Sequence, residues 1–219
     1  MREYCVYNAG FPGDTTVELL KRFDRDVAQR QPDAVVMLAG SNDMFYPGHM
    51  LELATFQKNY NILLDRIENI GAQAVVLTAP RFLKNLLIEN FPETINHPLS
   101  LDERLDMLNQ AIRATADERY IPLVDANKLI DPVDDTPDSM VLNVANSGRH
   151  DGMHMTDEGY KVMAENVCKV LKENYPDARS VVCFGDSITY GVYMPGKGTA
   201  AENAKTYPGQ LCKLLNSGL

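Results

Sequence analysis

The sequence contains no apolar run approaching the ~20 residues that span a bilayer. Its first residues, Met1-Arg2-Glu3-Tyr4-Cys5, lack the apolar core of a signal peptide. Basic clusters are almost missing. Lys21-Arg22 is the longest, and 21 Lys plus Arg stand against 30 Asp plus Glu. A net charge of −9 provides no face for displacing counterions from phosphates, which argues against nucleic acid and anionic membrane surfaces as partners. Cysteine is scarce. Cys5, Cys168, Cys183 and Cys212 form no C-x-x-C pair, so neither a zinc ribbon nor a redox motif is encoded. Cys5 and Cys183 fall in apolar runs and read as small core residues. There is no His-Glu-x-x-His and no Cys–His cluster, and the acidic stretch 131–138 lacks the glycine and terminal glutamate of a calcium loop. These absences lead us to expect a cytoplasmic protein that uses no metal or cofactor.

What is present is an ordinary globular composition: 219 residues, 45% hydrophobic and 23% charged. That length suits one domain, 1–219, with a sizeable core. Short apolar runs at 5–7, 34–38, 74–77, 121–124 and 180–184 read as buried strands. Between them lie segments of helical period at 15–28, 51–70, 101–120, 156–174 and 204–215. The first helix carries Val17, Leu20, Phe23 and Val27 on one face. The second has Leu53, Phe56, Tyr60, Leu63, Leu64 and Ile67 as its stripe, with Gly71 as its stop. The alternation predicts an α/β fold: a three-layer α/β/α, flavodoxin-like arrangement of about five parallel strands. Segment 85–100, rich in Pro and Asn, and segment 131–149, rich in Pro, Asp and Asn, read as loops at the edge where such folds build their sites.

Chemistry-bearing residues follow the strands. After 181–184 comes Gly185-Asp186-Ser187-Ile188-Thr189. A strand running into a tight glycine turn can present the Ser187 hydroxyl and its N–H to one space, as an acyl-transfer nucleophile requires. After 5–7 comes Asn8-Ala9-Gly10-Phe11-Pro12-Gly13-Asp14-Thr15, a glycine-bearing loop opening a helix, with free N–H groups. After 34–38 comes Ala39-Gly40-Ser41-Asn42-Asp43, where Asn42 offers a short amide donor and Asp43 reads as a turn or cap residue. Asp151-Gly152-Met153-His154 is a tight turn ahead of a helix, placing Asp151 to hold the His154 imidazole. His49, His97 and His150 lack an aspartate three residues earlier and read as surface residues.

Together these four blocks resemble those of the SGNH (GDSL) hydrolase family. The resemblance implies a serine esterase that hydrolyses a small-molecule ester of small or medium acyl group. Ser187 would be the nucleophile, His154 the base and Asp151 its partner. The oxyanion hole would comprise the Ser187 N–H, the Gly13 N–H and the Asn42 amide. A carbohydrate O-deacetylase of the same mechanism is the alternative within the class. The order departs from the family's, in which the nucleophile block comes first. Here it comes last, as a circular permutation would place it: 1–175 correspond to the usual second strand through the last helix, and 180–219 to the usual first β-α unit. Strand 181–184 is then expected between 5–7 and 34–38, and a domain-swapped dimer is an alternative use of the short 176–180 hinge. From another class, a nucleotide-binding module would use loop 191–199, which nearly matches G-x-x-x-x-G-K-[ST]. Gly198 stands where that motif needs a hydroxyl, so a loop flanking the substrate is the preferred reading.

Overall fold

The computed structural model describes residues 3–130 and 134–217, so 131–133 of the acidic stretch lie outside it. Its elements, in chain order, are β1 (Cys5–Gly10), α1 (Thr16–Asp26), β2 (Ala34–Leu38), α2 (Ser41–Phe45), α3 (Leu53–Asn69), β3 (Gln73–Leu77), α4 (Lys84–Asn90), α5 (Leu101–Glu118), β4 (Leu123–Val124), α6 (Ala126–Leu129), α7 (Val144–Ser147), α8 (Asp157–Asn174), β5 (Ser180–Gly185), α9 (Ser187–Tyr190) and α10 (Tyr207–Asn216). Local chemistry sets the helix starts. Thr15 and Ser100 each form a reciprocal capping box, with Glu18 and Glu103, ahead of α1 and α5. Thr156 and Thr206 cap α8 and α10. Each such cap contributes about 1 kcal/mol.

The five strands form one parallel sheet in the order β1-β5-β2-β3-β4. Alternating strand residues supply two cores. On one face Ala9, Val35, Met37, Val76, Val182 and Phe184 pack with α1, α3 and α5. On the other, Val36, Leu38, Val75, Leu77, Val181 and Cys183 pack with α8 and α10. This is the α/β/α layering expected from the strand–helix alternation. No helix among the described residues is long and apolar enough to cross a membrane.

Several expectations need correction. β1 runs on to Gly10, because Asn8, Ala9 and Gly10 complete its pairing with β5. Cys5 is exposed, since it opens an edge strand; Cys183, in the central β5, is fully buried. The inward residues of α1 are Leu19 and Phe23, whereas Val17 and Leu20 are half-buried. β4 is shorter than 121–124: two residues pair with β3. Segment 85–100 is largely helical, forming most of α4 and a 3-10 turn over Pro92–Asn96, because Leu86, Leu87 and Thr94 are buried against the body of the fold. Loop 131–149 likewise includes α7, which its own Asn143 caps. His49 and His150 are exposed as expected, but His97 is half-buried and its ring accepts the Leu99 N–H.

Candidate active site

Sheet register brings the blocks together. Gly10 of β1 pairs with Gly185 of β5, and Gly185 pairs with Leu38 of β2. The carboxyl ends of three adjacent strands therefore lie in one row, and Gly13, Ser187 and Asn42 each follow within a few residues. Ser187 is the first residue of α9, so its N–H has no acceptor one turn back. Asp186 caps that helix by accepting the Ile188 N–H at 2.9 Å. Gly13 has φ +84, and a Cβ there would meet nothing within 4 Å, so the backbone conformation rather than space calls for glycine. Asn42 is buried, and its Nδ2 donates to the Asp14 carbonyl at 2.9 Å. A side-chain amide has two N–H bonds, so this contact leaves a second one.

The Asp151 turn forms as the spacing predicts. Its Oδ1 accepts the Met153 N–H at 2.8 Å and the His154 N–H at 2.6 Å, while Oδ2 meets His154 Nδ1 at 2.8 Å. Burial opposes ionisation of Asp151, but these bonds outweigh it and hold the carboxyl below its usual range. With Nδ1 turned to Asp151, Nε2 is the free ring nitrogen; it is buried and without a partner among the described residues. Ser187, Asn42, Gly13, Asp151 and His154 all line one cavity of about 550 Å³. No hydrogen bond joins Ser187 Oγ to His154 in this structure. Such pairs commonly tighten only around substrate.

A family model described as GDSL-like Lipase/Acylhydrolase matches residues 2–162. The chain belongs to this family. An acetylxylan esterase of Geobacillus stearothermophilus is 25% identical over 128 residues, which are 58% of this chain and 57% of that relative. The chain thus spans little more than half the length of the relative it matches. Two solved structures share the fold. A GDSL-like lipase from Bacteroides thetaiotaomicron has a TM-score of 0.55 at 19% identity, covering 74% of this chain and 72% of that one. A catalytic mutant of an acetylxylan esterase from Geobacillus stearothermophilus has a TM-score of 0.51 at 18% identity, covering 73% and 68%.

Around this GDSL-like core the structure adds residues that carry no motif. Phe45, Leu87, Phe91, Thr94 and Met153 build an apolar wall of the cavity. Three of them come from segment 85–100: Leu87 from α4, Phe91 at its end and Thr94 from the 3-10 turn. Asn90 donates to the carbonyls of His150 and Asp151, both at 3.0 Å, and so anchors the histidine turn. His150 also lines the cavity and pairs with Glu89 at 2.7 Å.

Loop 191–199 contributes Val192 and Tyr193, the Tyr193 and His154 rings standing perpendicular with centroids 5.6 Å apart. This loop is pinned by Gly198 N–H to the Tyr190 carbonyl at 2.7 Å and by Asn8 to the Thr199 carbonyl at 3.1 Å. The next helix begins only at Tyr207, so no helix N-terminus stands behind the loop as phosphate binding needs.

Two buried carboxyls lie beneath the site. Asp43 meets the Thr16 N–H at 3.1 Å and the Thr16 hydroxyl at 2.5 Å, tying the start of α1 to α2. Burial pushes its pKa to about 6 despite those bonds. Its role is therefore a clamp between two elements rather than the local cap read from sequence. Burial likewise pushes Asp186 to about 7.

Proposed function

We propose that this chain is a serine esterase acting through an acyl-enzyme. The carrying observation is the convergence of Ser187, Gly13, Asn42 and an aspartate-held His154 on one cavity. Ser187 Oγ attacks the ester carbonyl while His154 Nε2 takes its proton. Asp151 keeps the other ring proton on Nδ1 and supports the imidazolium that forms. The oxyanion develops against the Ser187 N–H, the Gly13 N–H and the second Asn42 N–H. His154 then protonates the leaving alkoxide, and water repeats the sequence on the acyl group. The apolar wall of Phe45, Leu87, Phe91 and Met153 suits an acyl chain of small or medium length. Hydrolysis of a p-nitrophenyl ester series by the wild type, with loss of nearly all turnover in Ser187→Ala and in His154→Ala, is the expected result. Ser187→Ala retaining more than a few per cent of the rate would overturn the assignment.

A carbohydrate O-deacetylase is the second reading. It is favoured by the likeness to an acetylxylan esterase. The nucleotide-binding alternative has no helix N-terminus to rest on. The four cysteines are unpaired thiols, which fits a reducing, cytoplasmic setting.

The reading includes a circular permutation of the family's order. It is supported by the sheet: if β5 is counted first, the order β1-β5-β2-β3-β4 becomes 2-1-3-4-5, the flavodoxin-like sequence of strands. The family match also stops at 162, short of the nucleophile block. The arrangement costs little because Tyr4 and Asn216 exchange hydrogen bonds of 2.9 and 3.2 Å, which sets the two ends of the described chain side by side.

A further inference from the structure

Arg22, on α1, is 10% exposed at its side chain and bonded in four directions. Its Nε meets Asp14 Oδ2 at 2.5 Å. Nη1 donates to the Ala9 carbonyl at 2.8 Å and to Asp26 Oδ2 at 3.0 Å. Nη2 donates to the Gly185 carbonyl at 2.7 Å, and the guanidinium carbon lies 4.6 Å over the Phe184 ring.

These partners share a property. Gly185 ends β5, two residues before Ser187. Ala9 lies near the end of β1, four residues before Gly13. Asp14 follows Gly13, and its carbonyl is the group that Asn42 grips. One planar cation therefore contacts each segment that carries an oxyanion donor: the Ser187 turn directly, the Gly13 loop on both sides, and Asn42 through Asp14. Charge neutralisation alone does not explain the arrangement. Asp26 already has Arg25 at 2.6 and 2.8 Å, and the two carbonyl contacts neutralise nothing.

We propose that Arg22 is a positioning residue for this reaction: its guanidinium fixes the spacing of the three oxyanion donors. The inference rests on the esterase reading above. Only a forked, planar donor reaches all of these acceptors at once, so lysine keeps the charge and loses the geometry.

The test is kinetic. Arg22→Lys should lower kcat by roughly 10–10²-fold and leave KM nearly unchanged, the pattern of an interaction made only in the transition state. The same substitution in an Asn42→Ala background should cost several-fold less, because one of the donors it aims is gone. Reaction of Ser187 with a fluorophosphonate, whose adduct places an oxygen in the same hole, should slow in parallel.

If Arg22→Lys does not fold, Asp14→Asn tests the same link. It keeps the backbone carbonyl for Asn42 and should show a milder loss confined to kcat. A wild-type kcat in folded Arg22→Lys, or an undiminished loss in the double mutant, would overturn the proposal while leaving the esterase reading intact. A wild type inert to both esters and the phosphonate would overturn both.

Discussion

On the esterase reading, replacing Gly10 by alanine should abolish most turnover from a position outside the cavity. Gly10 is the last residue of β1, and α9 packs directly against it. A Cβ at Gly10 would stand 2.6 Å from Thr189 C and 2.7 Å from Tyr190 Cα, and nearer still to Tyr190 N. All three are backbone atoms, so no side-chain rotation relieves the clash. Ordinary contact begins at 3.4 Å. The end of β1 and α9 must therefore part by about 1 Å, an overpacking that costs about 1–3 kcal/mol. Ser187 opens α9 and moves with it. A displacement of about 1 Å at a reacting group costs ~10²-fold in rate. The expected result is a kcat lowered about a hundredfold in a folded protein whose melting temperature falls by a few degrees per kcal/mol, the scale for a chain of this length. Gly71→Ala is the comparison. Gly71 has φ +77, with nothing within 4 Å of a Cβ. It lies behind α3, so that variant should lose about 1 kcal/mol of stability and keep its kcat. Wild-type turnover in Gly10→Ala would refute the reasoning, because it would mean that α9 can shift without carrying the nucleophile out of register.

Further outcomes follow from buried groups and from connectivity. Asp43 has its folded-state pKa raised from 3.8 to about 6, so the native state keeps a proton that the unfolded chain releases. Its contribution is present below pH 3.8 and is lost as pH rises towards 6; at ~1.36 kcal/mol per pKa unit this is about 3 kcal/mol. Urea unfolding of Asp43→Asn between pH 4 and 7 should therefore show stability relative to wild type increasing with pH across that window, and a constant difference would count against it. Asp151 has the opposite sign. Its carboxyl is held below the usual 3.8, so its stabilisation is present above that pH and is lost as pH falls through the lowered value. Asp151→Asn should remove that acid-side loss and lower kcat by roughly 10²–10⁴, since the amide favours the wrong imidazole tautomer; an unchanged rate would mean that the 2.8 Å contact does not serve catalysis. Joining residue 219 to residue 1 through a short Gly-Ser linker and opening the chain between 176 and 180 should yield a folded enzyme with similar kcat on the same esters. Loss of folding in that variant would argue that the present order is structurally required.

The strands and long helices were legible because their signals are local. Runs such as Val35-Val36-Met37 and stripes such as Phe56, Tyr60, Leu63 and Ile67 depend only on period and burial. The Asp151–His154 pairing was equally readable, since a turn places residues three apart in contact. Segment 85–100 reads as a loop in sequence because of its Pro and Asn content. Its helix and 3-10 turn gain their stability from seating Leu86 and Leu87, and Thr94, against distant parts of the fold, and no local pattern records that contact. Arg22 reads in sequence as a basic residue of an amphipathic helix; its partner Gly185 is 163 positions away.

By itself, then, the sequence determined the α/β class, the family resemblance and the residues proposed for acyl-transfer chemistry, because side-chain type and near-neighbour spacing are properties of the chain. Tertiary structure decided which of them meet. Insertion of β5 between β1 and β2 aligns Gly10, Gly185 and Leu38 in one row, and only that register sets Ser187 beside Gly13 and Asn42. It also decided the cavity wall and the buried clamps, for a physical reason: hydrogen bonds and apolar contacts between segments far apart in sequence exist only once the sheet has closed around β5.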